Sequence, residues 1–254
     1  MAARDYGQYS GITRAMELVG ERWALLIVRD LLVGPRRYGE LAAGLHRIPS
    51  NILAARLKEL QAAGIIRRAP RSRVILYELT PYGRELEPVV LALGAWGIKA
   101  MGDPRDEQVV TADSMTMDLR SAFRPQVALE LPPTAYGARL AGADLLIRVR
   151  GSTLDVTSGA GRLGRLGPVD LSFPPDPAFP TDLAFPTDLA FPTDLVFSTE
   201  TGAGIRQLIT GELAPDRAIS AGVVEVLHGR SELLDRFATT FHVAACPRPV
   251  SCCR

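Results

Sequence analysis

The sequence predicts an α+β protein in two unlike parts: a helical first hundred residues with one short β-hairpin, then strands in an antiparallel sheet beside further helices. Three observations lead there. Apolar residues in the first part recur at helical spacing between clear breakers, whereas the second part carries short alternating runs. Charge divides at the same place: residues 1–100 hold 15 Lys and Arg against 9 Asp and Glu, and residues 101–254 hold 14 against 19. Between them lies the polar stretch MGDPRDEQ. These set the parts at 1–101 and 110–243, with 102–109 as a linker and 244–254 as a tail.

In the first part, residues 12–19 and 23–32 are apolar and helix-favouring, separated by Gly20, and Gly34-Pro35 ends the second run. Residues 38–45 give a short third helix. A fourth starts at Ser50 or Asn51, both good N-caps, and stops at Gly64. Two strands, 65–69 and 74–79, follow, joined by PRSR. Thr80-Pro81 then opens a last helix, on which Leu86, Val90, Leu93 and Trp96 form an apolar stripe. Helices, a basic hairpin and a closing helix, in that order, make a winged helix-turn-helix.

In the second part, DLLIRVR (144–150) and STLDVT (152–157) flank Gly151 as a hairpin. LGPVDLSF (166–173) and VVEVLHG (223–229) read as strands, 204–210 and 215–221 as helices, and Ser231 opens a final helix, SELLDRFATTFHV. The hexapeptide AFPTDL occurs three times over 178–195, each copy with a proline that removes a ladder donor, so the copies are expected to form an extended loop. The degenerate continuation LVFSTET is expected to be a true strand.

Composition narrows the function. With 47% hydrophobic residues in short runs, no segment is long enough to span a bilayer. The start, MAARDYGQYSG, has no apolar signal core. Cys246, Cys252 and Cys253 all fall in the last nine residues, where none can staple a core. A cytoplasmic protein, with no membrane partner, is expected. His46, His228 and His242 are isolated, and the motifs of phosphate-binding or nucleophile-bearing turns are missing. The reading is of a non-enzyme with no cofactor and no metal.

What remains is a basic cluster. Residues 36–73 hold nine Lys and Arg against two acids, the electrostatic footprint of a polyanion site. On the fourth helix, Leu53, Leu57 and Leu60 set the inward face, which leaves Asn51, Ala55, Lys58 and Ala62 outward, flanked by Ala54 and Arg56. Small residues let a helix backbone approach base edges, Asn can pair with adenine, and Lys and Arg with guanine or phosphate. Arg36, Arg37 and Tyr38 open the preceding helix, where phosphates can be held. Arg67, Arg68, Arg71 and Arg73 sit on or around the hairpin. The candidate contacts to double-stranded DNA are therefore Arg36, Arg37, Tyr38, Ser50, Asn51, Ala55, Arg56, Lys58, Arg68, Arg71 and Arg73.

The same segments carry a resemblance. GERWALLIVRDLLVGPRRYGEL, SNILAARLKELQAAGII and LYELTPYGRELEPVVLALGAWG are similar, in order, to the HxlR-type branch of the MarR-like winged-helix transcription regulators. The resemblance implies a homodimer joined by the first and last helices of the domain, with each fourth helix in a major groove. Many relatives have a cysteine before the first helix. Here YGQYSGI has Ser10 in that stretch, which excludes thiol sensing there. The second part resembles sterol-carrier-protein-like lipid-transfer domains through ADLLIRVRGSTLDV, TGAGIRQLITGELAPDRAISAGVVEVLHG and SELLDRFATTFHV. That resemblance implies an apolar small-molecule site, with Leu208, Ile209, Leu233, Leu234, Phe237 and Phe241 as wall residues or plain core. Two functions follow: a sequence-specific transcriptional regulator, dimeric and with an apolar-ligand-sensing second domain, or a lipid- or sterol-binding protein in which DNA binding is secondary.

Overall fold

A computed structural model describes residues 5–71, 73–105, 107–140, 143–159, 193–200 and 202–244. The helical part begins with α1 (Gly11–Val19), α2 (Ala24–Val33), α3 (Tyr38–Gly44) and α4 (Ser50–Ala62). Ile27, Val28 and Leu31 of α2, Leu41 of α3, and Leu53, Leu57 and Leu60 of α4 are buried together, as the helical spacing requires. The expected N-cap of α4 is corrected: Pro49 caps the helix, Ser50 and Asn51 are its first residues, and no side chain bonds the free amides. Proline fits there because its fixed φ is pre-set for the approach to a helix. At the other end Gly64 takes a positive φ of 71°, which turns the chain into the hairpin.

Strands β1 (Ile66–Arg71) and β2 (Val74–Leu79) pair antiparallel, with Arg71 opposite Val74. Pro70 and Arg71, expected in the turn, continue the strand. Proline is tolerated because a two-stranded ribbon leaves one side of each strand unpaired. The single closing helix is two: α5 (Pro81–Arg84), capped by Thr80 Oγ1 accepting from the Gly83 amide, and α6 (Glu87–Ile98). Pro88 lacks an N–H and crowds the carbonyl of Arg84, which breaks the ladder there. The expected stripe divides as well. Leu86 and Val90 pack against the helical core, but Leu93 and Trp96 are exposed.

The second part begins with two helices that the sequence reading did not foresee, α7 (Ala112–Ala122) and α8 (Pro125–Ala128), and an unforeseen strand, β3 (Thr134–Leu140). Next come β4 (Ala143–Arg150), β5 (Thr153–Gly159), β6 (Leu195–Thr199), α9 (Gly202–Thr210), α10 (Pro215–Ser220), β7 (Glu225–Gly229) and α11 (Glu232–Thr240). The five strands lie in the order β5-β4-β3-β6-β7. The antiparallel expectation is corrected to a mixed sheet, because β6 runs parallel to β3 while the other pairs are antiparallel. A parallel neighbour needs a long connection, and the paired Tyr136 and Leu195 lie far apart in the chain. Alternate residues of the sheet, Tyr136, Ala138, Leu145, Ile147, Leu195 and Phe197 among them, meet Ile205, Leu208, Leu234 and Phe237 of the helices in one core. LVFST is the strand β6, as expected. Residues 166–173, most of the hexapeptide repeat and the three cysteines lie outside the described residues.

Helix α7 joins the halves. Met115 and Leu119 belong to the core of the second part, whereas Met117, 3% exposed, belongs to that of the first. Ile98 of α6 is buried in the opposite sense, in the second core. A Cβ on Gly94 would collide with Ser121 Oγ, so α6 and α7 approach at a glycine. Arg120 Nη1 donates to the Leu32 carbonyl.

Two carboxylates lie along this seam. Asp30 is buried, which raises its pKa against the opposing charge of Arg29. Burial likewise pushes Asp118 up to about 6, again opposed by Arg29. A carboxyl raised in the fold is stabilising below its unfolded pKa of 3.8, and that contribution is lost as pH rises through about 6. Asp118→Asn, which cannot ionise, is therefore expected to gain on the wild type by about 2 kcal/mol between pH 4.5 and 7.5. Urea unfolding at both pH values measures it, and an identical difference at the two would refute the assignment.

Candidate nucleic-acid interface

Three elements carry the candidate residues, and backbone geometry ties them together. The N–H and carbonyl of Arg36 bond the carbonyl and N–H of Tyr77 at 3.0 and 2.7 Å, which fixes the start of α3 to the hairpin. Tyr38 Oη donates to the Ser50 carbonyl at 2.9 Å, which fixes the start of α3 to the start of α4. The Arg37 amide donates to Glu40 Oε2 at 2.6 Å and closes the first turn of α3. Helix α4 and the hairpin are thus held as one head.

On α4, Ser50, Asn51, Ala54, Lys58 and Ala62 are exposed. Ala55, expected outward, is half-buried, and Ala54 stands in its place. One face therefore shows Asn, Ala and Lys at i, i+3 and i+7, with neither a bulky nor an acidic side chain among them. Arg68, Arg71 and Arg73 of the hairpin are exposed, and they and Lys58 form no ion pair among the described residues. Arg67 is engaged by Glu78 at 2.7 Å across the strands.

Two candidates sit elsewhere. Arg56 is turned inward, its side chain 13% exposed, with Nη2 3.0 Å from Glu21 and Nη1 on Glu59. It orients α4 against the segment before α2, where reach to a phosphate was expected. Arg36 is equally committed, because its Nε and Nη2 donate to the two oxygens of Asp113 at 3.0 and 2.7 Å. Burial alone would lower the Arg36 pKa, but the Asp113 bonds and charge outweigh it and hold the guanidinium above its ordinary value. Sequence could not signal that contact: its partners are 77 residues apart.

A cavity of about 350 Å³ opens beside the start of α4, lined by Arg22, Trp23, Arg47, Pro49, Ile52 and Arg56. Its arginines are already occupied. Arg22 lies over the Trp23 ring at 5.1 Å, and Arg47 meets Glu107 at 2.8 Å.

A family model of HxlR-like helix-turn-helix proteins matches residues 18–104. The uncharacterized HTH-type transcriptional regulator YvaP of Bacillus subtilis is 36% identical over 86 residues, covering 33% of this chain and 80% of that protein. The chain belongs to the HxlR-like helix-turn-helix family. A further HTH-type transcriptional regulator, from Synechocystis, is 33% identical over 96 residues, 37% of this chain and 71% of its own. One from Mycobacterium tuberculosis is 42% identical over 96 residues, and this HxlR-like chain spans 60% of its length. The family match covers α2 to α6 and ends before α7. Among the described residues no helix is long and apolar enough to cross a membrane.

Proposed function

We propose that this protein is a sequence-specific DNA-binding transcriptional regulator that acts as a homodimer. The observation that carries the reading is the exposed Asn51, Ala54 and Lys58 row on α4, framed by Arg68, Arg71 and Arg73, which form no ion pair among the described residues. Exposed arginines at a hairpin tip are well placed to contact phosphates. Family membership supports the same reading, since the HxlR-like relatives above are named as transcriptional regulators. The dimer is supported by apolar residues left in water on α1 and α6, the elements that the family resemblance assigns to the interface.

The decisive experiment is fluorescence anisotropy of the full chain on DNA from upstream of its own gene, against a scrambled duplex, over a salt series. Preference for the upstream DNA with steep loss in salt is expected, and equal weak binding to both duplexes would remove the specific reading. Asn51→Ala is expected to relax base choice by roughly 1–3 kcal/mol at one position, through a lost bidentate contact. A randomised operator set that shows unchanged preference would exclude Asn51 from base reading. Arg73→Ala is expected to weaken all duplexes alike and to reduce the salt slope by about one phosphate's share. Lys58→Ala is expected to weaken binding, whereas Arg56→Ala acts through the tilt of α4.

We read the second part as a sterol-carrier-like domain on its sequence resemblance, with helices gathered on one face of a mixed sheet. Its candidate tunnel residues are all buried in one core, which favours a brace on the DNA reader over a lipid carrier.

A further inference from the structure

We propose that α7 is the control arm of the DNA reader and that its Asp113, acting through Arg36, is a positioning residue for the hairpin and α3. The proposal rests on the DNA-reading role above, and it assigns to the second domain a mechanical part in that role.

The geometry is specific. Arg36 is a junction with three attachments. Its backbone joins the hairpin at Tyr77 through two hydrogen bonds, its chain position opens α3, and its guanidinium is gripped by both oxygens of Asp113. A two-point Arg–carboxylate bond fixes direction as well as distance, which a single contact does not. Asp113 stands in the first turn of α7, and Thr111 and Ser114 close that turn with reciprocal bonds at 3.1 Å. The far end of α7 cannot yield independently, because Met117 is buried in the reader core and Ser121 abuts Gly94. The helix is therefore a stiff element wedged between the two cores along its length, with Met115, Leu119 and Ala122 buried in the second domain and Asp113 on the residue that joins hairpin to α3. Any rearrangement of the second domain that displaces α7 displaces Arg36, and with it the angle between the hairpin and α4. The family match ends before α7, so this contact lies outside the matched reader segment.

The alternative is that Asp113 merely masks a guanidinium that would otherwise bind phosphate. Strut and mask predict opposite signs. The test uses the full chain carrying Asp113→Asn and, separately, the charge exchange Arg36→Asp with Asp113→Arg. Amide hydrogen exchange is followed at Tyr77 and along both hairpin strands, and anisotropy is measured on the upstream and scrambled duplexes. For Asp113→Asn, exchange at Tyr77 is expected to rise roughly tenfold with the five-stranded sheet unchanged. Preference for the upstream duplex is expected to fall about tenfold, with the same salt slope. The charge exchange is expected to restore both readouts, and it carries the test if Asp113→Asn does not fold. Unchanged hairpin exchange would overturn the proposal, as would a gain of affinity on both duplexes with a steeper salt slope, the signature of an unmasked phosphate contact. If the wild type prefers neither duplex, the specific DNA reading fails, while hydrogen exchange still decides whether the strut holds the hairpin.

Discussion

Trp96→Glu is expected to leave the protein monomeric and to weaken operator binding by about a hundredfold or more, because two linked reading heads gain that factor from effective concentration alone. Trp96 is 72% exposed on α6, in line with Val89 and Leu93, and Ile12, 79% exposed, stands with Met16 on α1. Large apolar side chains left in water in a row along each helix are of the kind that partner surfaces cover. Trp96 has nothing to lose in the monomer: its ring makes no part of either core. A charge there therefore leaves the fold intact and costs a dimer the burial of an aromatic anchor. Sedimentation equilibrium and the melting temperature separate the two effects. A variant that stays dimeric, or a wild type that is monomeric at micromolar concentration, would exclude this face as the interface. Single-site binding to a half-operator should be nearly unchanged, since α4 and the hairpin lie outside the substituted face.

Much of the reader was legible because its elements have one buried face each. Leucines at 53, 57 and 60 mark such a face, and all three are buried. The closing helix shows the limit of that signal. Helical spacing identifies an apolar stripe but not what covers it, and of that stripe Leu93 and Trp96 lie in water. Helix α7 failed for the opposite reason. It lies between two cores and sends Met115 to one and Met117 to the other, so its apolar residues follow no single stripe. Strand β3 carries Gly137 and four small or polar residues, Thr134, Ala135, Ala138 and Arg139, a weak strand signal, and its parallel partner is about sixty residues away; the Ala135 amide bonds the Asp194 carboxylate 59 positions on. At the interface, residue types were legible and their commitments were not. Arg36 and Arg56 have the chemistry of phosphate contacts, yet each found a carboxylate that no local pattern reveals.

Phe237→Ala is expected to cost about 3–5 kcal/mol, the loss that follows when a buried aromatic leaves a cavity its neighbours cannot refill. Phe237 is fully buried at the centre of an aromatic group. Its ring meets Tyr136 edge-on at 5.3 Å, Phe197 edge-on at 5.2 Å and Phe241 at 4.7 Å. Edge-to-face pairs at those separations add to the burial energy, so removal is costly beyond the area alone. The variant also discriminates between a packed brace and a lipid-holding tunnel. In a tunnel wall the missing ring would only widen space that a ligand already occupies, with a smaller loss and greater uptake of an apolar dye. In a packed core the full loss appears by urea unfolding, and dye uptake begins only with the new cavity. Because α7 shares this core through Met115 and Leu119, a loosened second domain should also free that helix. Hydrogen exchange in the hairpin of Phe237→Ala is then expected to rise together with that of β3 and β6. A softened sheet beside an unchanged hairpin would show that the two halves, although joined at α7, do not share their stability.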